Sequence, residues 1–132
     1  VHLDIIERSG VESQQPVTCK EFVDMLLSQG PIKYANIDEN TAASNAIVAL
    51  VASRGIRILA FCAIAAADVT VTLEDEDGAN LIGPMDLPAN GGVVLPFNGI
   101  GWQETPSGKA LHLLLGDAVQ VGGSITYQEV QI

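Results

Sequence analysis

Basic residues are scarce in this chain. Lys and Arg together number 6 against 16 Asp and Glu, and the formal net charge is −10. Recognition of phosphate needs clustered cations, so the balance argues against nucleic acid and against anionic membranes as partners. Aromatic residues are also few, at 5%, although hydrophobic residues reach 48%. The core is therefore expected to be aliphatic, and a large aromatic-lined ligand pocket is disfavoured. Only two cysteines occur, Cys19 and Cys62, which is no disulfide framework. The first residues, Val1-His2-Leu3-Asp4, carry acid where a secretory signal would carry base. The longest apolar stretch, Gly55 to Ala67, is interrupted by Arg57 and is too short to span a bilayer. These features lead us to expect a soluble protein made in a reducing cytoplasm.

What is present is a set of short strand patterns, and the run from Asn45 to Leu73 is central to them. It reads as three antiparallel strands, with turns at Ser53-Arg54-Gly55 and Ala66-Ala67-Asp68. In the third, Val69, Val71 and Leu73 alternate with Thr70, Thr72 and Glu74, the period of a half-buried strand. The first two are apolar on both faces. Each face is expected to meet something, a second sheet on one side and a neighbouring chain or helix on the other.

Before this run, residues 1–17 read as irregular, with Leu3, Ile5 and Ile6 in a short apolar segment. Residues 18–29 read as the one helix: Thr18 and Glu21 have capping-box spacing, Phe22, Met25 and Leu26 form an apolar stripe, and Gly30-Pro31 ends it. A further short strand is expected over 32–37. After the central run come apolar segments at Asn80–Ile82, Val93–Phe97, Trp102–Thr105, Lys109–Leu115, Val119–Val121 and Ser124–Val130, with glycine or proline turns between them. The expected fold is all-β, a jelly-roll-like antiparallel β-sandwich of about eight strands. It occupies residues 41–132, and residues 1–40 form an N-terminal arm carrying the helix.

Few constellations suggest chemistry. Glu74, Asp75, Glu76 and Asp77 are weak candidates for a Ca²⁺ site, but adjacent carboxylates on a strand end alternate in direction and a solvated hairpin tip is the plainer reading. His112 stands between Leu111 and Leu113, hence on the face opposite those leucines, without a spaced Cys/His set around it. No serine lies in a nucleophile-elbow pattern, and Gly91-Gly92 precedes a strand instead of a helix. No enzyme activity, metal or cofactor is expected. Trp102, beside the glycine corner Asn98-Gly99-Ile100-Gly101, reads as a core plug or as an anchor for a subunit contact.

From about Thr41 onward the chain resembles a recurrent bacteriophage virion module. The resemblance is carried by the Asn45-to-Ala65 strand pair, Val69-Thr70-Val71-Thr72-Leu73, and Leu81-Ile82-Gly83-Pro84-Met85-Asp86-Leu87. It continues through Gly91-Gly92-Val93-Val94-Leu95-Pro96-Phe97, the Gly101-Trp102 corner, Gly108 to Gly116, and Ala118-Val119-Gln120-Val121-Gly122-Gly123. Modules of this kind are similar to trimeric jelly-roll decoration, or cement, proteins on the outside of phage capsids. The resemblance implies a structural virion protein that binds the major capsid protein, self-associates as a homotrimer and sits on the outer surface of the head. The interface residues expected under it are Leu3, Ile5, Ile6, Phe22, Met25, Leu26, Arg54, Arg57, Phe97 and Trp102. Related sandwiches occur in tail and fibre proteins, so a module for attachment or carbohydrate recognition is the alternative. The shortage of exposed aromatics counts against that alternative.

Overall fold

The computed structural model describes residues 29–131, and among these it contains nine strands and no helix. In chain order they are β1 (Gln29–Glu39), β2 (Ser44–Val48), β3 (Arg54–Ala65), β4 (Val69–Asp75) and β5 (Asn80–Leu87). They continue with β6 (Gly92–Leu95), β7 (Gln103–Glu104), β8 (Leu111–Leu115) and β9 (Val121–Gln131). Two sheets form a β-sandwich. One has the order β1-β9-β3-β6, with β7 pairing the same edge of β3 as β6; the other has the order β2-β8-β4-β5. The helix expected over 18–29 lies outside the described residues except for Gln29, where β1 opens. β1 pairs with β9 and is longer than the strand expected over 32–37. The compact unit accordingly runs Pro31–Ile132, taking in β1, whereas the sequence pattern placed the boundary at residue 40.

The three central strands are where they were expected, but they are not neighbours. β2 and β4 lie in one sheet, separated by β8, and β3 lies in the other. Each turn therefore carries the chain across the sandwich. The reason is burial. β3 and β4 each have a core-facing row, and crossing the sandwich lets those rows pack against each other instead of lying side by side in one layer.

Alternation decides which side chains fill the core. In β4, Val69, Val71 and Leu73 point inward; in β8, Leu111, Leu113 and Leu115 do so, as the sequence pattern indicates. They meet Ile56, Ile58, Phe61, Ala63 and Ala65 of β3 and Val121 and Ile125 of β9. Each Val, Leu, Ile or Phe among them contributes about 1.5–3 kcal/mol on burial.

β3 does not keep one phase. Ile56 and Ile58 face inward; after a bulge at Leu59, between the Ile58–Tyr127 and Ala60–Thr126 pairs, the inward residues are Phe61, Ala63 and Ala65. One extra residue in a strand flips everything beyond it. Part of what reads as a second apolar face of β3 is thus this change of phase. Cys62 consequently lies on the outer face, half-buried, with its sulfur 3.5 Å from Ser124 Oγ.

Candidate functional site

The acidic run at the end of β4 is taken apart by the fold. Asp75 is buried, and its Oδ1 accepts the backbone N–H groups of Asp77 at 2.9 Å and Ala79 at 3.0 Å, closing the β4–β5 turn. Glu76 Oε1 accepts the N–H of Ala110 at 2.8 Å, tying this hairpin to the entry of β8. Asp77 pairs with Lys109 at 3.0 Å, and that carboxylate holds the Lys109 ammonium above its ordinary pKa of 10.5. Glu74 turns to the outer face of the sheet. The four carboxylates point to four different partners. Among the described residues, no group of three His, Cys, Asp or Glu side chains is arranged to hold a metal ion.

Glu74 belongs to a polar cluster that the sequence pattern does not single out. Register places Ala46 and Glu74 on either side of His112, and Ser44 beside Leu114 on the same outer face. Ser44 Oγ donates to Glu74 Oε2 and lies 2.9 Å from His112 Nδ1. Only 4% of Glu74 is exposed. A carboxylate only accepts and a hydroxyl has one proton, so the serine bridges the other two groups as donor to one and acceptor from the other. The signal in the sequence was His112 on the outward phase of β8; the partners are 68 and 38 residues away and become visible only with the register. The serine sits between the acid and the imidazole. In a nucleophilic triad the imidazole occupies that middle position.

At the opposite end of the sandwich, Asp68, Val69, Thr70, Asp86, Leu87, Pro88 and Asp117 line an open cleft of about 380 Å³. Thr70 Oγ1 donates to Asp86 at 2.7 Å, and Asp68 accepts the Ala89 N–H at 2.8 Å. These bonds hold the ends of β4 and β5 together.

The loop from Pro96 to Trp102 exposes large apolar side chains. Phe97 is 60% exposed, Ile100 85% and Trp102 38%. The loop is firmly anchored at the β3 bulge. Asn98 N donates to Leu59 O at 2.9 Å and Trp102 N to Ile58 O at 2.8 Å, while Trp102 Nε1 donates to Pro96 O at 2.9 Å. Trp102 is therefore no core plug: its polar edge closes the loop and its ring is partly offered to solvent. Gly101, with φ of 98°, crosses directly over the Arg57 stem, where a side chain would collide. Arg57 Nε pairs with Glu104 at 2.9 Å, and Arg54 donates to Glu129 O at 3.3 Å. Of the expected interface residues, Arg57, Phe97 and Trp102 are brought together here. Arg54 lies at the start of β3, bonded across to β9. Leu3, Ile5, Ile6, Phe22, Met25 and Leu26 lie outside the described residues.

Comparison with protein-family models, with curated proteins and with solved structures finds no match.

Proposed function

We propose that this chain is a structural virion protein of a bacteriophage, a decoration protein that binds the outside of the head and clamps neighbouring major capsid subunits. The observation that carries the reading is the strand order. β1-β9-β3-β6 packed on β2-β8-β4-β5 follows the interleaved Greek-key order of a jelly roll, an architecture recurrent in viral capsid domains. The resemblance noted in the sequence supplies the capsid exterior as the location and a homotrimer as the state of assembly. The roles of the residues are consistent with it. Asp75 closes the β4–β5 turn, Glu76 and Asp77 tie that turn to the entry of β8, and the exposed side chains of Phe97, Ile100 and Trp102 sit on an anchored loop. A cement protein works by surface alone, since a ligand that prefers the assembled shell stabilises it by mass action.

The test mixes the purified chain with heads lacking a decoration protein. Saturable co-sedimentation and a raised temperature of head disruption are expected. Heads that neither retain the protein nor gain stability would end the reading. One observation favours an attachment module instead. Tyr34, Phe97 and Trp102 are exposed, so the sequence-based objection of few exposed aromatics loses force. Binding to whole cells or to a glycan array in the absence of heads would select that alternative.

A further inference from the structure

The outer faces of the two sheets differ in where their charges sit. On the β1-β9-β3-β6 sheet the outward row of β1 contains Ile32, Tyr34 and Asn36, and that of β9 contains Ser124 and Thr126. β3 adds Ala60, Cys62 and Ile64, and β6 adds Val94 across from Cys62. The charged side chains of this face stand at its ends: Asp38 bonded to Gln120, and Arg57 paired with Glu104. Between them the face is uncharged and partly greasy, with Tyr34 75% exposed, Ile64 63% and Val94 70%. The loop bearing Phe97, Ile100 and Trp102 adjoins it, because Gly101 passes over Arg57 on this same side. The other sheet exposes Asp86 and carries the Ser44–Glu74–His112 cluster. One end of the sandwich holds Asp68 and Asp117, and the other holds Glu76 and Asp77.

We infer that the outer face of the β1-β9-β3-β6 sheet is where copies of this chain meet. The argument is electrostatic. Two molecules of net charge −10 repel, and contact through the opposite sheet or the cleft end brings carboxylate toward carboxylate. The neutral face is the surface on which a copy can be apposed to its like while exposed Ile64 and Val94 leave water. A partner chosen for opposite charge would instead be drawn to the acidic ends. Size sets the strength. Four strands span about 14 Å and seven residues about 23 Å, giving roughly 330 Å² of flat face. A stable interface uses about 800 Å² per partner, so even with the adjoining loop the association is weak and concentration-dependent. The inference deepens the self-association element of the proposed function and rests on that reading for its biological setting, but its test needs no heads.

The experiment is sedimentation equilibrium on the whole chain across a concentration series, with Ile64→Asp, Val94→Asp and Ala46→Asp variants. Ala46 lies exposed on β2 in the opposite sheet. The expected result is a mass that climbs above 13.8 kDa with concentration, and climbs further at about 0.5 M salt as the repulsion is screened. Ile64→Asp and Val94→Asp weaken the association at least about 100-fold, because every contact between copies then buries new like charges. Ala46→Asp associates as the parent does. Circular dichroism and urea midpoints confirm that each variant is folded, and the two face variants check each other. A parent that stays at 13.8 kDa throughout overturns the inference, as do folded face variants that associate normally. Head co-sedimentation is scored separately. A monomer that binds heads removes this face and leaves decoration standing, whereas an associating chain that ignores heads does the reverse.

Discussion

Thr105 and Ile56 bond each other twice. Thr105 N donates to Ile56 O at 2.9 Å, and Ile56 N donates to Thr105 Oγ1 at 2.9 Å; the same hydroxyl then donates to Lys109 O at 2.9 Å. Thr105 is fully buried. The side chain thus replaces a ladder rung just past β7 and fastens the turn that leads toward β8. Thr105→Val keeps the shape and removes both side-chain bonds. A buried N–H left without a partner costs about 1–3 kcal/mol, so the urea midpoint is expected to fall accordingly. Thr105→Ser, which keeps the hydroxyl, should lose clearly less. Equal losses in the two variants would show that the hydroxyl is not the fastening group.

Gly123 and Gly122 are adjacent on β9 and should respond oppositely to a methyl group. A Cβ on Gly123 would overlap the carbonyl oxygen of Cys62 and sit 2.8 Å from Ala63 Cα, both backbone atoms of the paired strand. A Cβ on Gly122 meets its nearest neighbour, Ile37 O, at 3.8 Å, an ordinary contact. Gly123→Ala is expected to cost about 3 kcal/mol or more, since β9 can accept it only by leaving β3. Gly122→Ala should stay within about 0.5 kcal/mol of the parent. Thermal melts of the two single variants decide it.

Core truncation separates the two phases of β8. Leu113 is fully buried, whereas its neighbour Leu114 is only half-buried on the outer face. Leu113→Ala is expected to cost about 2–5 kcal/mol by lost burial and the cavity left behind. Leu114→Ala should cost distinctly less. A similar loss for both would mean that the outer face of this sheet is as enclosed as the core.

These contrasts mark what the sequence makes legible. Strict alternation in β4 and β8 gives face and burial directly, because a single phase runs the length of each strand. β3 hides its phase: from Ile58 to Ala65 every residue is apolar, so the shift at Leu59 leaves no trace in the pattern, and the outward side of Cys62 shows only in the register. Sheet membership was equally hidden. A turn such as Ala66-Ala67-Asp68 looks the same whether it joins neighbours or crosses between layers. The acidic run was visible as composition but not as structure, since Ala110, Ser44 and Lys109, which engage Glu76, Glu74 and Asp77, come from distant parts of the chain.

The Lys109–Asp77 pair has a defined pH signature. Its hydrogen bond and charge raise the lysine pKa above 10.5 in the folded chain. A raised value on a cation means that the contribution is complete below the unfolded-state pKa and is lost as pH rises through the folded one. The difference in urea midpoint between the parent and Lys109→Met should therefore be constant from neutral pH up to about 10 and shrink only beyond 10.5. Because the pair is exposed, the difference should be small and reduced further by salt. A difference that disappears already near neutral pH would place its origin in another group.

Ser44 links Glu74 to His112, and the linkage fixes where a proton resides. Glu74 can only accept, so the serine hydroxyl donates to it and its oxygen is left to accept from the ring. His112 must then carry hydrogen on Nδ1. Long-range proton–nitrogen spectra of the imidazole should show that tautomer. Ser44→Ala removes the donor from a carboxylate that is 4% exposed. The expected cost is about 1.5–3 kcal/mol, the range for a hydrogen bond to a charged group. The same substitution should release the imidazole to the Nε2–H form that predominates in free histidine. Were the tautomer unchanged in Ser44→Ala, the ring would be held by something other than this serine.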